Sequence, residues 1–207
     1  MKKYFKLIQI TQETLIDLSI VILLALPILL SFVPEKLPIG LIDSLYLVSH
    51  ISLFFVMAIR PLADIAKNPK WIRPLVILRK GAGILSASVI VSFILSKIII
   101  SPIDYILSFG TIEYWSMQNF ALLAHLGDIT AIILLVTSNN LSKRILKTWW
   151  KKIQRLSYVY FYASSFYVLL SYGDIKMYWA ILIVTTLTLL AYVKNKRKRL
   201  LDVLETA

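Results

Sequence analysis

Residues 83–100 read GILSASVIVSFILSKIII, a run in which Lys97 is the one charged residue. At about 1.5 Å per residue, a helix of this length crosses most of a hydrocarbon core about 30 Å thick. Five further apolar runs of similar length lie along the chain. The six predicted spans cover residues 15–33, 41–59, 83–100, 119–138, 153–171 and 177–193. The sequence therefore predicts an all-α, polytopic membrane protein with six transmembrane helices in a single domain over residues 1–207.

The composition supports this class and excludes several others. The chain has 207 residues, of which 58% are hydrophobic and 16% charged, with a mean hydropathy of +0.77. Soluble domains are nearer half apolar and a quarter charged, so a soluble enzyme and a disordered chain are both disfavoured. The absence of cysteine excludes disulfides, iron–sulfur clusters and thiolate zinc sites. His50 and His125 are the only imidazoles available for chemistry.

The positive charge of the chain follows the predicted loops. The net charge is +12, which in a soluble protein would suggest nucleic acid as a partner. If the N-terminus is cytoplasmic, 20 of the 23 Lys and Arg residues fall on the cytoplasmic side, and only Lys36, Lys97 and Lys176 fall outside. This asymmetry predicts a multi-pass protein of the cell inner membrane with both termini in the cytoplasm. The basic tail, residues 194–207, is then expected to meet membrane lipids, and no nucleic acid is expected as a partner.

Two passages of the chain resemble each other and suggest an internal repeat. Residues 50–61 read HISLFFVMAIRP and residues 127–138 read GDITAIILLVTS, and each passage ends one predicted span and leads into a basic loop. Spans two and three would then correspond to spans four and five in the same orientation, as in a parallel repeat. Such a pair of hairpins predicts a four-helix core, a usual place for a cofactor, with two flanking spans.

Four short motifs, in order and at fitting spacing, resemble the ferric-reductase-like transmembrane domain over residues 41–171. They are IRPL at residues 59–62, LRKGAG at 78–83, LLVTSN at 134–139 and WKKIQRLSY at 150–158. Within that family the chain looks closest to the haem-binding membrane subunit of the periplasmic methionine-sulfoxide reductase system. The resemblance implies transmembrane electron transfer, through haem b, from a cytoplasmic or quinone donor to an extracytoplasmic redox protein.

The residues that would hold that haem are missing. The family binds haem through histidines in the spans that match spans three and five here. Those positions hold Phe93, Gln154 and Tyr167 instead. Haem iron needs a lone-pair donor at each axial position; Phe has none, and the Gln amide is a poor one. A family member that kept the fold and lost the chemistry fits this pattern.

Other residues offer alternatives to the lost ligands. His50 and His125 lie at depths that differ by only about 5 Å at the rise of an α-helix, so they are candidate ligands of a relocated haem. The simpler interpretation is that both imidazoles are buried and hydrogen-bonded. Tyr167 is a further candidate ligand, as a phenolate. Asp128 shares a helix face with His125, and Asp17 lies just inside span one, so a proton path through these residues and His50 is a third hypothesis.

Three functional classes remain open from the sequence. The first is a redox subunit with relocated or absent haem ligands, the second is a haem-free membrane scaffold or partner subunit, and the third is a small proton-coupled transporter. No glycine-rich phosphate loop, hydrolase triad or metal-binding motif with credible spacing is present, so no catalytic residue and no metal site is predicted.

Overall fold

The computed structural model describes residues 2–33, 37–38, 40–66 and 70–206, and these form eight α-helices and no strand. The helices are α1 Lys2–Phe32, α2 Leu41–Ile65, α3 Arg79–Ile100, α4 Pro102–Ser108, α5 Ala121–Thr137, α6 Asn140–Ile153, α7 Leu156–Tyr172 and α8 Ile175–Thr206. Short 3-10 turns cover Arg73–Leu78, Glu113–Trp115 and Gln118–Phe120. Of the charges assigned to loops above, Lys36 and Lys67 lie outside the described residues, as do the side chains of the basic tail from residue 199 onwards.

Each of the six predicted spans coincides with a helix, and the all-α fold is confirmed. Four helices of the described chain, α1, α2, α3 and α8, are long and apolar enough to cross a membrane. A fifth crossing is counted if α5 and α6 form one broken span, although their axes meet at 114°. Helices α5 and α7 have 17 residues each, so each is only about 26 Å long. The structure therefore has four or five candidate crossings, and the prediction of six, with separate crossings by α5 and α7, stays a prediction.

Four helices form the centre of the molecule. Helix α2 contacts α3, α3 contacts α5, α5 contacts α7, and α7 contacts α2, which closes a ring. Helix α1 packs on the outside of α3, and α8 packs against α2 and α7. The four central predicted spans thus surround one core, which contains Leu53, Val56, Met57, Ala131 and Phe161.

The helices alternate in direction, which brings the basic loops to one end of the bundle. There the Arg79 Nε, at the start of α3, donates to the Val56 carbonyl of α2 at 2.9 Å, and the Trp150 Nε1 donates to the Thr137 carbonyl at the end of α5. The Lys194 Nζ of α8 donates to the carbonyl of Asp64 near the end of α2. We call this the basic end. The opposite end contains α4 and the 3-10 turns that precede α5.

Small residues allow α1 and α3 to approach closely. The Ser92 Oγ of α3 donates to the Ile22 carbonyl of α1 at 3.2 Å, and Ser19 of α1 has no exposed surface. At Gly81 an added Cβ would lie 3.0 Å from the Leu15 Cβ, which is tighter than nine in ten real Cβ contacts. Close backbone approach through small residues is typical of helix packing in membranes, where lipid-facing apolar area gives no drive for association.

The predicted internal repeat stays a prediction. Helices α2 and α3 pack together as a pair, as do α5 and α7, and each pair is joined by a segment at the basic end. The joining segments differ, because the first contains a 3-10 turn and the second contains the amphipathic helix α6. Asn139 caps α6 by accepting a hydrogen bond from the Ser142 amide at 2.7 Å, which fixes the bend after α5.

Candidate functional site

The three family haem positions are occupied by side chains with other contacts. Phe93 on α3 stacks face to face on Tyr46, with ring centroids 4.5 Å apart. Tyr167 on α7 meets Tyr172 edge to face at 6.0 Å. Gln154, at the basic end, donates through its Nε2 to the Thr137 Oγ1 at 3.4 Å. The haem positions therefore present no pair of ligands facing each other across the bundle.

A buried hydrogen-bond network fills the space between α3 and α7. The Tyr160 hydroxyl of α7 lies 3.0 Å from the Ser86 Oγ of α3, and that Oγ lies 3.0 Å from the Ser49 Oγ of α2. Tyr160 is 2% exposed, and Ser86 has no exposed surface. Because the hydroxyls satisfy one another, they can be buried without the cost of an unpaired polar group. We call Ser49, Ser86 and Tyr160 the hydroxyl network. Sequence reasoning missed it, since isolated Ser and Tyr residues in apolar spans carry no distinctive spacing.

His50 and His125 lie on α2 and α5, which stand opposite each other in the ring of four helices. The His50 Nδ1 is 2.8 Å from the Tyr46 carbonyl on its own helix, while its Nε2 is buried without a hydrogen-bond partner. His125 stacks on Tyr114 at 3.4 Å between ring centroids, and its Nδ1 is also buried without a partner. Each imidazole thus keeps one ring nitrogen free for a ligand or a proton.

The two aspartates of the predicted proton path lie far apart in the fold. Asp128 follows Gly127 on α5, where that glycine faces Ser164 of α7. Outside the spans, burial raises the pKa of the Tyr105 and Tyr114 phenols. The interaction with Tyr105 raises the pKa of Tyr114 further, and the Asp128 charge is the smallest contribution to both pKa values. Asp17 is exposed on α1, two residues from the Leu15 that packs on Gly81 at the start of α3. The structure does not bring Asp17 together with His50, His125 and Asp128.

A cavity of about 820 Å³ opens at the basic end, and we call it the basic cavity. Residues of α2, α3, α5, α6, α7 and α8 all contribute to its wall, and the cavity is partly open to the outside. Its basic lining residues are Arg60, Arg79, Lys80, Lys143, Lys151 and Arg155. Within the part of the chain that the structure describes, Asp64 is the one acidic lining residue. Its deeper wall is apolar and aromatic, and includes Leu53, Val56, Leu134 and Tyr160. A volume of this size falls within the range of about 300–1,000 Å³ that small-molecule sites occupy.

Several contacts hold the wall of the basic cavity in place. Arg79 is half-buried and is oriented by its bond to the Val56 carbonyl. The Trp150 indole is fixed by its bond to the Thr137 carbonyl, and the Lys143 Nζ lies 5.5 Å from the Trp150 ring centroid. The Thr188 Oγ1, also in the lining, is buried and has no hydrogen-bond partner. The cavity therefore offers one oriented guanidinium, further exposed cations, an aromatic surface and a free hydroxyl.

From the sequence, these basic residues predicted only the orientation of the chain in the membrane. Their convergence depends on six helices meeting at one end, which no local pattern encodes. Gln154 is the one predicted site residue in the lining of the basic cavity. Across the described ranges no three His, Asp or Glu side chains come together in a way that could hold a metal ion.

Comparison of the chain with family models, with curated proteins and with solved structures finds no match.

Proposed function

We propose that this chain is a six-pass protein of a prokaryotic inner membrane with ferric-reductase-like architecture. We further propose that it works without haem, as a membrane scaffold or partner subunit. The observation that carries the proposal is the Ser86–Tyr160 contact of 3.0 Å, which joins α3 to α7 where the resembled family places haem between the matching spans.

The topology part of the proposal is supported by helix direction and by charge. Helices α5 and α7 are each about 26 Å long, which is at the short end of the range for a crossing. Because successive crossings along the chain run in opposite directions, six of them leave both ends of the chain on one side. The basic end would then face the cytoplasm, in line with the positive-inside rule.

Haem does not fit at the positions that the resemblance indicates. Phe93 has no lone pair and is stacked on Tyr46, and Gln154 is directed to Thr137 at the basic end. A porphyrin between α3 and α7 would also have to displace Tyr160 and leave the Ser86 hydroxyl buried with fewer partners. Such unsatisfied polar groups cost about 1–3 kcal/mol each. Electron transfer through a haem in the family positions is therefore not part of the proposal.

A relocated haem is the second candidate, because one observation favours it. The His50 Nε2 and the His125 Nδ1 are both buried without partners, on helices that stand opposite each other. If haem is bound there, these two imidazoles would hold it, and the bound group would supply one-electron transfer. The transporter alternative has less support, because Asp17 is exposed on α1, away from the other members of the suggested path.

An absorption spectrum of the protein, purified in mild detergent from haem-replete cells, separates these candidates. The haem-free proposal expects no Soret band. A band that persists in the Phe93→Ala and Tyr167→Phe variants but disappears in His50→Ala and His125→Ala would overturn it in favour of the relocated haem. A band lost in Tyr167→Phe alone would overturn it in favour of a phenolate ligand. Tyr158→Phe, an exposed tyrosine on α7, is the control for nonspecific effects.

A further inference from the structure

We propose that the basic cavity binds an amphiphile with a phosphate-containing head group, such as an anionic phospholipid. The phosphate would lie among the cations at the mouth, and the first methylenes of the chain would lie against Leu53, Val56 and Leu134. This site is separate from the histidines and from the family haem positions Phe93 and Tyr167. It is therefore independent of whether the bundle holds haem.

The charge of the lining selects an anionic head group. Six lining residues are basic and one, Asp64, is acidic. The Asp64 carboxylate is 3.3 Å from the Asn195 Nδ2, so its charge is partly engaged by a neighbouring amide. Charge-assisted hydrogen bonds from Arg or Lys to phosphate are about twice as strong as neutral ones.

The geometry of Arg79 suits a phosphate at the boundary between the polar mouth and the apolar depth. Its Nε is bonded to the Val56 carbonyl, which fixes the plane of the guanidinium and leaves its other N–H groups to face a ligand. Pre-organised guanidinium groups bind phosphate with less loss of side-chain entropy than free lysines. A simple surface patch would lack this fixed group.

The depth of the cavity selects a ligand with an apolar portion. Gly83 lines the wall, and an added Cβ there would meet only the Val56 Cγ2, at 3.7 Å. Tyr160 and the unpartnered Thr188 hydroxyl also line the cavity, and the Thr188 hydroxyl can donate a hydrogen bond to an ester of the ligand or accept one from a hydroxyl. Inorganic phosphate would fill only the mouth and leave this apolar wall uncovered.

The location matches the source of such a ligand. Anionic phospholipids give the cytoplasmic membrane surface its negative potential, and they concentrate near basic segments. The basic cavity opens at the end of the bundle where α6, with its own lysines, leaves α5 at a bend of 114°. A head group from that leaflet is therefore the occupant that we propose, and free phosphate is the alternative that the test must separate.

The test compares thermal stabilisation of the full chain, purified in neutral detergent, by three probes. They are dioctanoyl phosphatidylglycerol, dioctanoyl phosphatidylcholine with the same chains but no net charge, and inorganic phosphate. The first should raise the melting temperature in a saturable manner, since a ligand that binds only the folded state stabilises it. The other two should give little or no shift. An equal shift with inorganic phosphate, or an equal shift with phosphatidylcholine, would overturn the proposal.

Helix α6 offers a matched pair of variants. Lys143 and Lys151 line the cavity, whereas their sequence neighbours Arg144 and Lys152 do not. Lys143→Gln/Lys151→Gln should weaken phosphatidylglycerol binding by about ten-fold or more, the factor expected for one or two lost charge-assisted contacts. Arg144→Gln/Lys152→Gln removes the same charge from the same helix and should weaken it less than about two-fold. Equal losses in the two variants would show general surface attraction and would contradict a site in the cavity.

Discussion

Two glycines on α3, Gly81 and Gly83, give a direct test of how the bundle is packed. They lie two residues apart near the start of the helix, yet their surroundings differ. A Cβ on Gly81 would meet the Leu15 Cβ at 3.0 Å and the Gln12 carbonyl oxygen at 3.2 Å. A Cβ on Gly83 would meet the Val56 Cγ2 at 3.7 Å, an ordinary contact. Replacement by alanine should therefore be less favourable at Gly81 than at Gly83.

The expected magnitudes follow from two opposing terms. In a helix, alanine is favoured over glycine by up to about 1 kcal/mol, and this gain is available to both variants. Gly81→Ala also pushes against the backbone of α1, and overpacking of this kind costs about 1–3 kcal/mol. Gly83→Ala should thus be neutral or more stable by up to about 1 kcal/mol. Gly81→Ala should be less stable than Gly83→Ala by about 1–3 kcal/mol.

The assay is unfolding of each variant in mixed micelles titrated with sodium dodecyl sulfate, followed by far-ultraviolet circular dichroism. Because both variants carry the same chemical change in the same helix, the difference between their unfolding free energies isolates the contact with α1. Equal stability of the two variants would refute the close packing of α1 on α3 through Gly81.

Three further predictions address the network, the pH dependence and the topology. Tyr160→Phe should lower the free energy of unfolding by about 0.5–1.5 kcal/mol because it removes a buried hydroxyl. Tyr158→Phe, at an exposed position, should have almost no effect on the free energy of unfolding. Equal losses in the two variants would argue against the hydroxyl network. Burial raises the pKa of the Tyr114 phenol above its ordinary value of about 10, so the folded chain keeps a proton that the unfolded chain releases. Stability measured by thermal unfolding should therefore not depend on this group below about pH 10 and should fall above it, and Tyr114→Phe should reduce that fall. The chain has no cysteine, so each single-cysteine variant carries one reactive thiol. Ile112→Cys should react with a membrane-impermeant maleimide in intact cells, and Leu141→Cys should react only after lysis. The reverse labelling would contradict the proposed orientation.

The sequence predicted the positions of the helices well, because long apolar runs bounded by charges carry that information locally. The predicted span at residues 83–100 lies within α3, and the one at 153–171 overlaps α7. Helix α6 was missed as a separate element, since its alternating lysines and aromatic residues resemble a basic loop. The bend after α5 is set by the Asn139 cap. Prediction of transmembrane helices from apolar runs does not use such capping residues.

The sites were harder to predict than the helices. His50 and His125 stand out by composition, and the structure gives each a free buried nitrogen. The hydroxyl network and the basic cavity depend on which helices become neighbours, and that follows from tertiary packing rather than from any motif. Asp17 illustrates the same limit: its position in a span suggested an inward-facing carboxylate, whereas α1 presents it on the exposed face.

We propose a bundle of ferric-reductase-like architecture in which the hydroxyl network joins the helices and no haem is bound. The most direct measurement is the molar ratio of haem to protein, determined as the pyridine haemochromogen, in material purified from cells supplied with a haem precursor. We expect a molar ratio of haem to protein close to zero. A ratio of one or more haem groups per chain, retained through a second purification step, would contradict it.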